Sequence, residues 1–156
     1  PCYELARKYG KPVAVHMGQT AVSRAKLKYS HPLTLDEVAA DWPDVQFVMC
    51  HFGNPFLADA AAVLEKNPNV CADLSGLLEG VTDLGRYFDE QSEYVRQLRG
   101  WISYVDDWGR FLFGTDFPAV NVPNYVEFVR RLVPEAHRQA VFFDNANRVY
   151  QLGLTI

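Results

Sequence analysis

The chain has 156 residues, 49% of them hydrophobic and 13% aromatic, which suffices for one packed domain and excludes a disordered chain. Its net charge of −4 is mild, with both signs mixed along the sequence, which argues against a nucleic-acid surface or a polybasic membrane patch; no apolar run is long enough to span a membrane. Three cysteines without a C-x-x-C read as free thiols in a reducing compartment, so a cytoplasmic location is expected.

In chain order, "PCYELARKYG" already reads as the middle of a helix. Cys2, Leu5, Ala6 and Tyr9 recur at i, i+3, i+4, i+7, and Gly10 supplies the stop. No Met precedes it, the methionines being Met17 and Met49, so a fragment of a longer chain is expected. "KPVAVHMG" is a short strand ending in His16. After a polar loop of residues 18–33, Thr34 and Glu37 have capping-box spacing, and Leu35, Val38, Ala39 and Trp42 form one helix face before Pro43.

"VQFVMCHFG" is the second strand, ending in His51. Asn54-Pro55 reads as N-cap and first residue of a helix that buries Phe56, Ala60, Val63 and Leu64 and closes at Asn67-Pro68. "NVCADLSG" is the third strand, with Asp73 near its end. Residues 76–91 read as irregular, and Ser92 to Trp108 as a long helix carrying Tyr94, Leu98, Trp101, Val105 and Trp108. "RFLFGTD" is the fourth strand. Tyr125, Phe128, Val129 and Leu132 mark one closing helix, and "PEAHRQAVFFDNANRVYQLG" holds another.

Strands alternating with helices imply an α/β fold with a parallel sheet joined by right-handed crossovers. No linker splits the chain, so residues 1–156 are expected to form a single domain. In such sheets the C-terminal strand ends form the functional face, and His16, His51 and Asp116 each sit there on a different strand. Side-chain alternation groups Ala14 with His16, Phe47 and Met49 with His51, and Leu112 and Gly114 with Asp116; Cys50 would then face the helices. Two imidazoles and a carboxylate suit Zn²⁺ or another divalent first-row ion, which would compensate the charge of Asp116 at the edge of a core.

Each residue also has a plainer reading. His16 alone reads as a hydrogen-bonded loop residue, and Asp116 alone as a cap or turn former. Asp73 and His31 are weaker candidates for substrate contact; loop hydrogen bonding suits Asp73 and a structural role suits His31. His137 reads as solvated, as do Arg86, Arg96 and Arg99, the alternative for these arginines being a substrate carboxylate. No Gly-rich phosphate loop follows a strand, which weakens a nucleotide-binding reading.

Taken together, "PVAVHMG", "HPLTLDEVAADWPDVQFVMCHFGNPFLADAAAVLEKNPNVCADLSG", "RFLFGTDFP" and "FFDNANRVYQL" resemble the C-terminal half of the amidohydrolase-related metal-dependent hydrolases. That family includes decarboxylases of the 2-amino-3-carboxymuconate-semialdehyde type. The resemblance spans the chain apart from an insert at residues 77–108. It implies strands five to eight of a (β/α)8 TIM barrel, with His16 and Asp116 as metal ligands and His51 as catalytic histidine or further ligand. Asp116 would also move protons, and Asn145 and Asn147 would cap the last helix.

The implied activity is hydrolysis of a C–N or C–O bond in a small-molecule substrate by metal-activated water, zinc being the expected ion. Decarboxylation of an unsaturated or aromatic carboxylic acid is the alternative. The family's strand one carries an H-x-H pair of ligands, and none exists among His16, His31, His51 and His137. A whole barrel needs around 250 residues, so the N-terminal half is expected to be missing. The chain alone is then expected to have little or no activity, and to form a homo-oligomer or pair with the missing half. A non-catalytic, self-associating half-barrel is the remaining alternative.

Overall fold

The computed structural model describes residues 1–155, so the last residue of the expected domain lies outside the described residues. Four parallel strands run in the order β1 (Val13–His16), β2 (Phe47–Cys50), β3 (Val70–Asp73) and β4 (Phe111–Leu112). Between them lie α2 (Pro32–Asp41), α3 (Leu57–Lys66), and the pair α4 (Leu84–Glu90) and α5 (Ser92–Val105). α1 (Cys2–Tyr9) precedes the sheet; α6 (Val122–Leu132) and α7 (Asn145–Val149) follow it. Among the described residues no helix is long and apolar enough to cross a membrane.

The two faces of the sheet differ. Phe47, Met49, Val70, Ala72 and Phe111 pack into one large core with Leu35 and Ala39 of α2, Ala60 and Leu64 of α3, Leu98 and Ile102 of α5, and Phe128 and Val129 of α6. On the opposite face Val48, Cys71 and Leu112 form a smaller cluster under Val149 of α7. β1 leaves Ala14 and His16 exposed on its open side, while Val13 and Val15 pack toward the helices. The first strand is therefore an edge with one covered face, not the doubly buried run expected of a parallel sheet.

Local chemistry explains most boundaries. Gly10 ends α1 at φ 60°, a left-handed position that glycine adopts without a Cβ clash. The buried side of α1 is Tyr3 and Ala6, Tyr3 lying against Trp42 and Phe47. Of the stripe expected from periodicity only Ala6 is buried; Cys2, Leu5 and Tyr9 are exposed. α2 is capped by His31, whose Nδ1 accepts from Leu33 N at 3.4 Å, and not by a Thr34/Glu37 box; the Thr34 hydroxyl donates to the His31 carbonyl. α3 begins two residues later than expected, because Asn54 closes a left-handed turn of residues 51–53 and Phe56 precedes the helix.

The stretch 76–91, expected to be irregular, contains α4, which Asp83 caps by accepting from Arg86 N. Asn145 is buried inside the last helix and its amide donates to Trp108 O and Phe111 O, both at 2.8 Å. It braces the start of β4 and does not cap a helix, since the backbone on either side is already helical. Asn147 likewise exchanges bonds with Leu154 and ties down the tail. His137 is half-buried and stacks on Trp108 at 5.2 Å, where a solvated residue was expected.

Candidate active site

His16 closes β1 on its open side, and the loop after it is pulled toward the loop after β2. Gln19 N donates to Asn54 O at 2.8 Å. Gly18 stands at φ +100°, and a Cβ there would lie 2.1 Å from the same carbonyl, so only glycine permits the approach. The far end of this loop is held by Ser30, whose hydroxyl donates to Gly18 O at 2.7 Å.

β2 ends at Cys50, and His51 turns into the left-handed region at φ 63°, followed by Phe52 at φ 44°. Consecutive non-glycine residues there are costly and persist only where surroundings hold them. Three contacts do so: His51 N donates to Asp73 Oδ1 at 2.9 Å, Asn54 N donates to His51 O at 2.9 Å, and Phe52 is buried edge-on against Phe111.

This turn breaks the expected alternation. Phe47 and Met49 face the helices, and Val48 and Cys50 face the open side, so Cys50 points opposite to the expected direction. His51 reaches the open side because the chain has left the strand. The Cys50 thiol is pushed up to about 12 by burial, with the charges of Asp73 and Asp116 adding to the shift. It is therefore a protonated thiol at neutral pH and an inert neighbour of the site.

β4 is shorter than expected, and Asp116 lies four residues beyond it, exposed, at φ 65°. Its carbonyl accepts from Ala119 N at 3.0 Å. Aspartate is among the few residues that enter this conformation readily.

His16, His51 and Asp116 line one cavity of about 300 Å³, with Asn54, Gln19 and Glu79 among its walls. The two imidazole centres are 5.0 Å apart with their planes at 64°. Three of the five residues expected at the site thus meet. Asp73 stands behind His51 and holds its backbone. His31 is elsewhere, its ring 4.5 Å from Phe56 and its Nε2 3.7 Å from Asp59, beside a separate hollow. Arg86 and Arg96 pair with Glu90 and Glu93, and Arg99 donates to Arg131 O.

The sequence reading missed Ser75, whose hydroxyl sits 2.8 Å from His51 Nδ1 and 2.5 Å from Asp73 Oδ1. The signal was present: Asp73-Leu74-Ser75 has Asx-turn spacing, and Ser75 N donates to Asp73 Oδ1 at 3.0 Å. It also missed Asn54, whose buried Oδ1 finds no partner among the described residues.

Imidazole and carboxylate donors suit a divalent first-row ion. Among the described residues no three His, Cys, Asp or Glu side chains lie close enough together to enclose one. The donors are of the right kind and share a cavity, and the set is open.

A family model described as amidohydrolase matches residues 1–152. The fold is similar to that of an uncharacterized TIM-barrel protein from Bordetella bronchiseptica (TM-score 0.71, 22% identity), covering 96% of this chain and 48% of that one. It is also similar to an amidohydrolase from Burkholderia multivorans with bound zinc (TM-score 0.67, 20% identity, 96% of this chain and 55% of that one). A dihydroxybenzoic acid decarboxylase from a Polaromonas species, with bound manganese, gives a TM-score of 0.63 at 14% identity over 98% of this chain and 53% of that one. At such identities these likenesses establish the fold alone, and the chain spans about half the length of each structure. No curated protein matches the sequence. The chain has an α/β fold with a four-stranded parallel sheet like that of TIM-barrel amidohydrolases, and with a family match reaching from its first residue to residue 152 it belongs to the amidohydrolase family.

Proposed function

We propose that the cavity is one wall of a divalent-metal site that hydrolyses a C–N or C–O bond of a small-molecule substrate. The observation that carries this reading is the meeting of His16, His51 and Asp116 from three successive strand ends on one cavity. His16 and Asp116 would hold the ion, and the remaining ligands would come from outside this sheet. A cation bound there supplies Lewis acidity toward a substrate oxygen. The Asp116 carboxylate, exposed at the rim, would accept the proton of the attacking water and deliver it to the leaving group. His51, with one ring nitrogen tied back to Ser75, turns its other nitrogen to the substrate as general base or further ligand. Zinc and manganese occur in structures of similar fold, and zinc is the ion we propose.

Decarboxylation of an unsaturated or aromatic carboxylic acid is the second reading, favoured by the likeness to the dihydroxybenzoic acid decarboxylase over 98% of this chain. We also read the four strands as strands five to eight of an eight-stranded barrel, residues 77–108 being an insert between the last two. Four strands with α1 to α6 on one face, and a length about half that of the similar structures, support this. By this reading the exposed edge at β1 pairs with the missing strands or with a second copy, and the chain alone has little activity. Three free cysteines fit a reducing compartment, and we place the protein in the cytoplasm.

Calorimetric titration of zinc and of manganese into the chain tests the site. We expect weak binding that falls at least about tenfold in both His16→Ala and Asp116→Ala. Affinity unchanged in both variants would rule the metal reading out, leaving a non-catalytic packing unit. Release of CO₂ from a dihydroxybenzoate, against hydrolysis of an amide or lactone, separates the two chemistries.

A further inference from the structure

One oxygen atom organises the wall behind the cavity. Asp73 Oδ1 accepts from the backbone N–H of His51 at 2.9 Å, from the backbone N–H of Ser75 at 3.0 Å, and from the Ser75 hydroxyl at 2.5 Å. The same hydroxyl lies 2.8 Å from Nδ1 of His51. Both the backbone and the ring of His51 are thereby referred to a single carboxylate oxygen, directly in one case and through Ser75 in the other.

Proton counting fixes the directions. An ionised carboxylate only accepts, and a hydroxyl has one proton to give. Two oxygens 2.5 Å apart repel unless a proton lies between them, so the Ser75 proton points at Asp73 in a charge-assisted bond. The hydroxyl then has only lone pairs to offer His51, and a 2.8 Å contact with Nδ1 is favourable only when Nδ1 carries hydrogen. In neutral imidazole the other nitrogen is then the bare acceptor.

We propose that Asp73 and Ser75 are positioning residues that lock His51 in the Nδ1–H tautomer and keep the Nε2 lone pair available to the cavity. This rests on reading His51 as the base or ligand of the proposed site only for its consequence, since the tautomer itself follows from the hydrogen bonds. Gly76 completes the clamp: a Cβ there would lie 2.6 Å from Nδ1 and 3.2 Å from Cε1, so the ring rests on bare backbone. The assignment gives Asp73 a role distinct from substrate contact, and it accounts for the strained turn at His51, whose backbone N–H must reach the same oxygen.

The test is a two-bond ¹H–¹⁵N correlation spectrum of the ¹⁵N-labelled whole chain without metal, at about pH 8, above the ordinary imidazole range. His51 is expected to show a protonated Nδ1 and a bare Nε2. Ser75→Ala removes the acceptor and moves the proton to Nε2. Asp73→Ala frees the hydroxyl to donate to Nδ1, with the same result, whereas Asp73→Asn keeps an accepting oxygen and preserves the wild-type pattern. A residue that merely braced the loop would leave the ring's tautomer unchanged in Ser75→Ala, where the bonds of Asp73 to the His51 and Ser75 backbone remain. A wild-type spectrum with protonated Nε2 overturns the proposal whether or not any variant folds. The wild-type Nδ1–H pattern in a chain that binds no metal supports it and counts only against the metal reading.

Discussion

Gly76 lies so close to His51 that a single added carbon would come within 2.6 Å of Nδ1. Its φ of +61° is also one that side chains rarely adopt, so Gly76→Ala is strained twice over. The backbone part alone costs about 1–2 kcal/mol. We expect a loss of stability of at least that size, together with displacement of the His51 ring, read as a denaturation midpoint and as a shift of the ring's NMR signals. Gly100→Ala is the control: it sits inside α5 with nothing within 4 Å, and should be neutral or stabilising by up to about 1 kcal/mol. If both variants behaved alike, the close approach at His51 would not matter.

Asn145 should be among the most sensitive polar positions in the protein. It is buried, and its amide satisfies two carbonyls, Trp108 O and Phe111 O, at the point where β4 begins. Asn145→Ala removes a donor from both, but Trp108 O still accepts from Phe111 N, so the cost falls mainly on the buried Phe111 O, about 1–3 kcal/mol for a buried group that loses its partner. A loss of about 1–3 kcal/mol in urea denaturation is expected. Asn147→Ala, whose bonds to Leu154 are exposed, should lose about 1 kcal/mol or less.

How much of the fold is legible in the sequence differs from element to element. The α/β order was legible because apolar runs and helical periodicities are local: all four residues marking α6, Tyr125, Phe128, Val129 and Leu132, are buried as spaced. The meeting of His16, His51 and Asp116 followed from where parallel strands end. The direction of Cys50 did not, because the turn at His51 is imposed by Asp73, 22 residues away. No local pattern announces such a left-handed pair. Asn54 was read as a cap because Asn-Pro is a common helix start, but the left-handed turn before it carries the chain past that position. α1 shows the same limit: of Cys2, Leu5, Ala6 and Tyr9 only Ala6 is buried, and the neighbours Trp42 and Phe47 turn the Tyr3/Ala6 side inward.

Acid sensitivity should come in part from the tie between α2 and α3. Asp36 accepts from Lys66 Nζ at 2.7 and 2.8 Å and from Asn67 Nδ2 at 2.7 Å, and these bonds hold its carboxyl below the usual carboxylate range. A carboxyl whose folded pKa is depressed stabilises the protein above its unfolded value of about 3.9 and ceases to do so as pH falls through the folded value. Asp36→Asn should therefore be less stable than wild type at about pH 7, and the gap should close below about pH 4. Urea midpoints across that range check this, and a gap independent of pH would mean that the ion pair contributes nothing.

Tyr125 links the outer helix α6 to the loop that carries Ser75 and Gly76. Its hydroxyl donates to Leu74 O at 2.5 Å and accepts from Leu77 N at 3.0 Å, bracketing both residues from beneath. The ring is fully buried and burial raises its hydroxyl well above the ordinary phenol value, so it stays protonated and able to donate. Tyr125→Phe keeps the ring and its packing against Phe128 while removing both bonds. Because Leu74 O and Leu77 N lose partners in a buried setting, a cost of about 1–3 kcal/mol is expected. The loop should loosen with it: amide hydrogen exchange at Ser75, Gly76 and Leu77 should accelerate more than exchange in β2. Uniform acceleration across the sheet would instead mean that Tyr125 contributes only to global stability and does not specifically hold the wall behind His51.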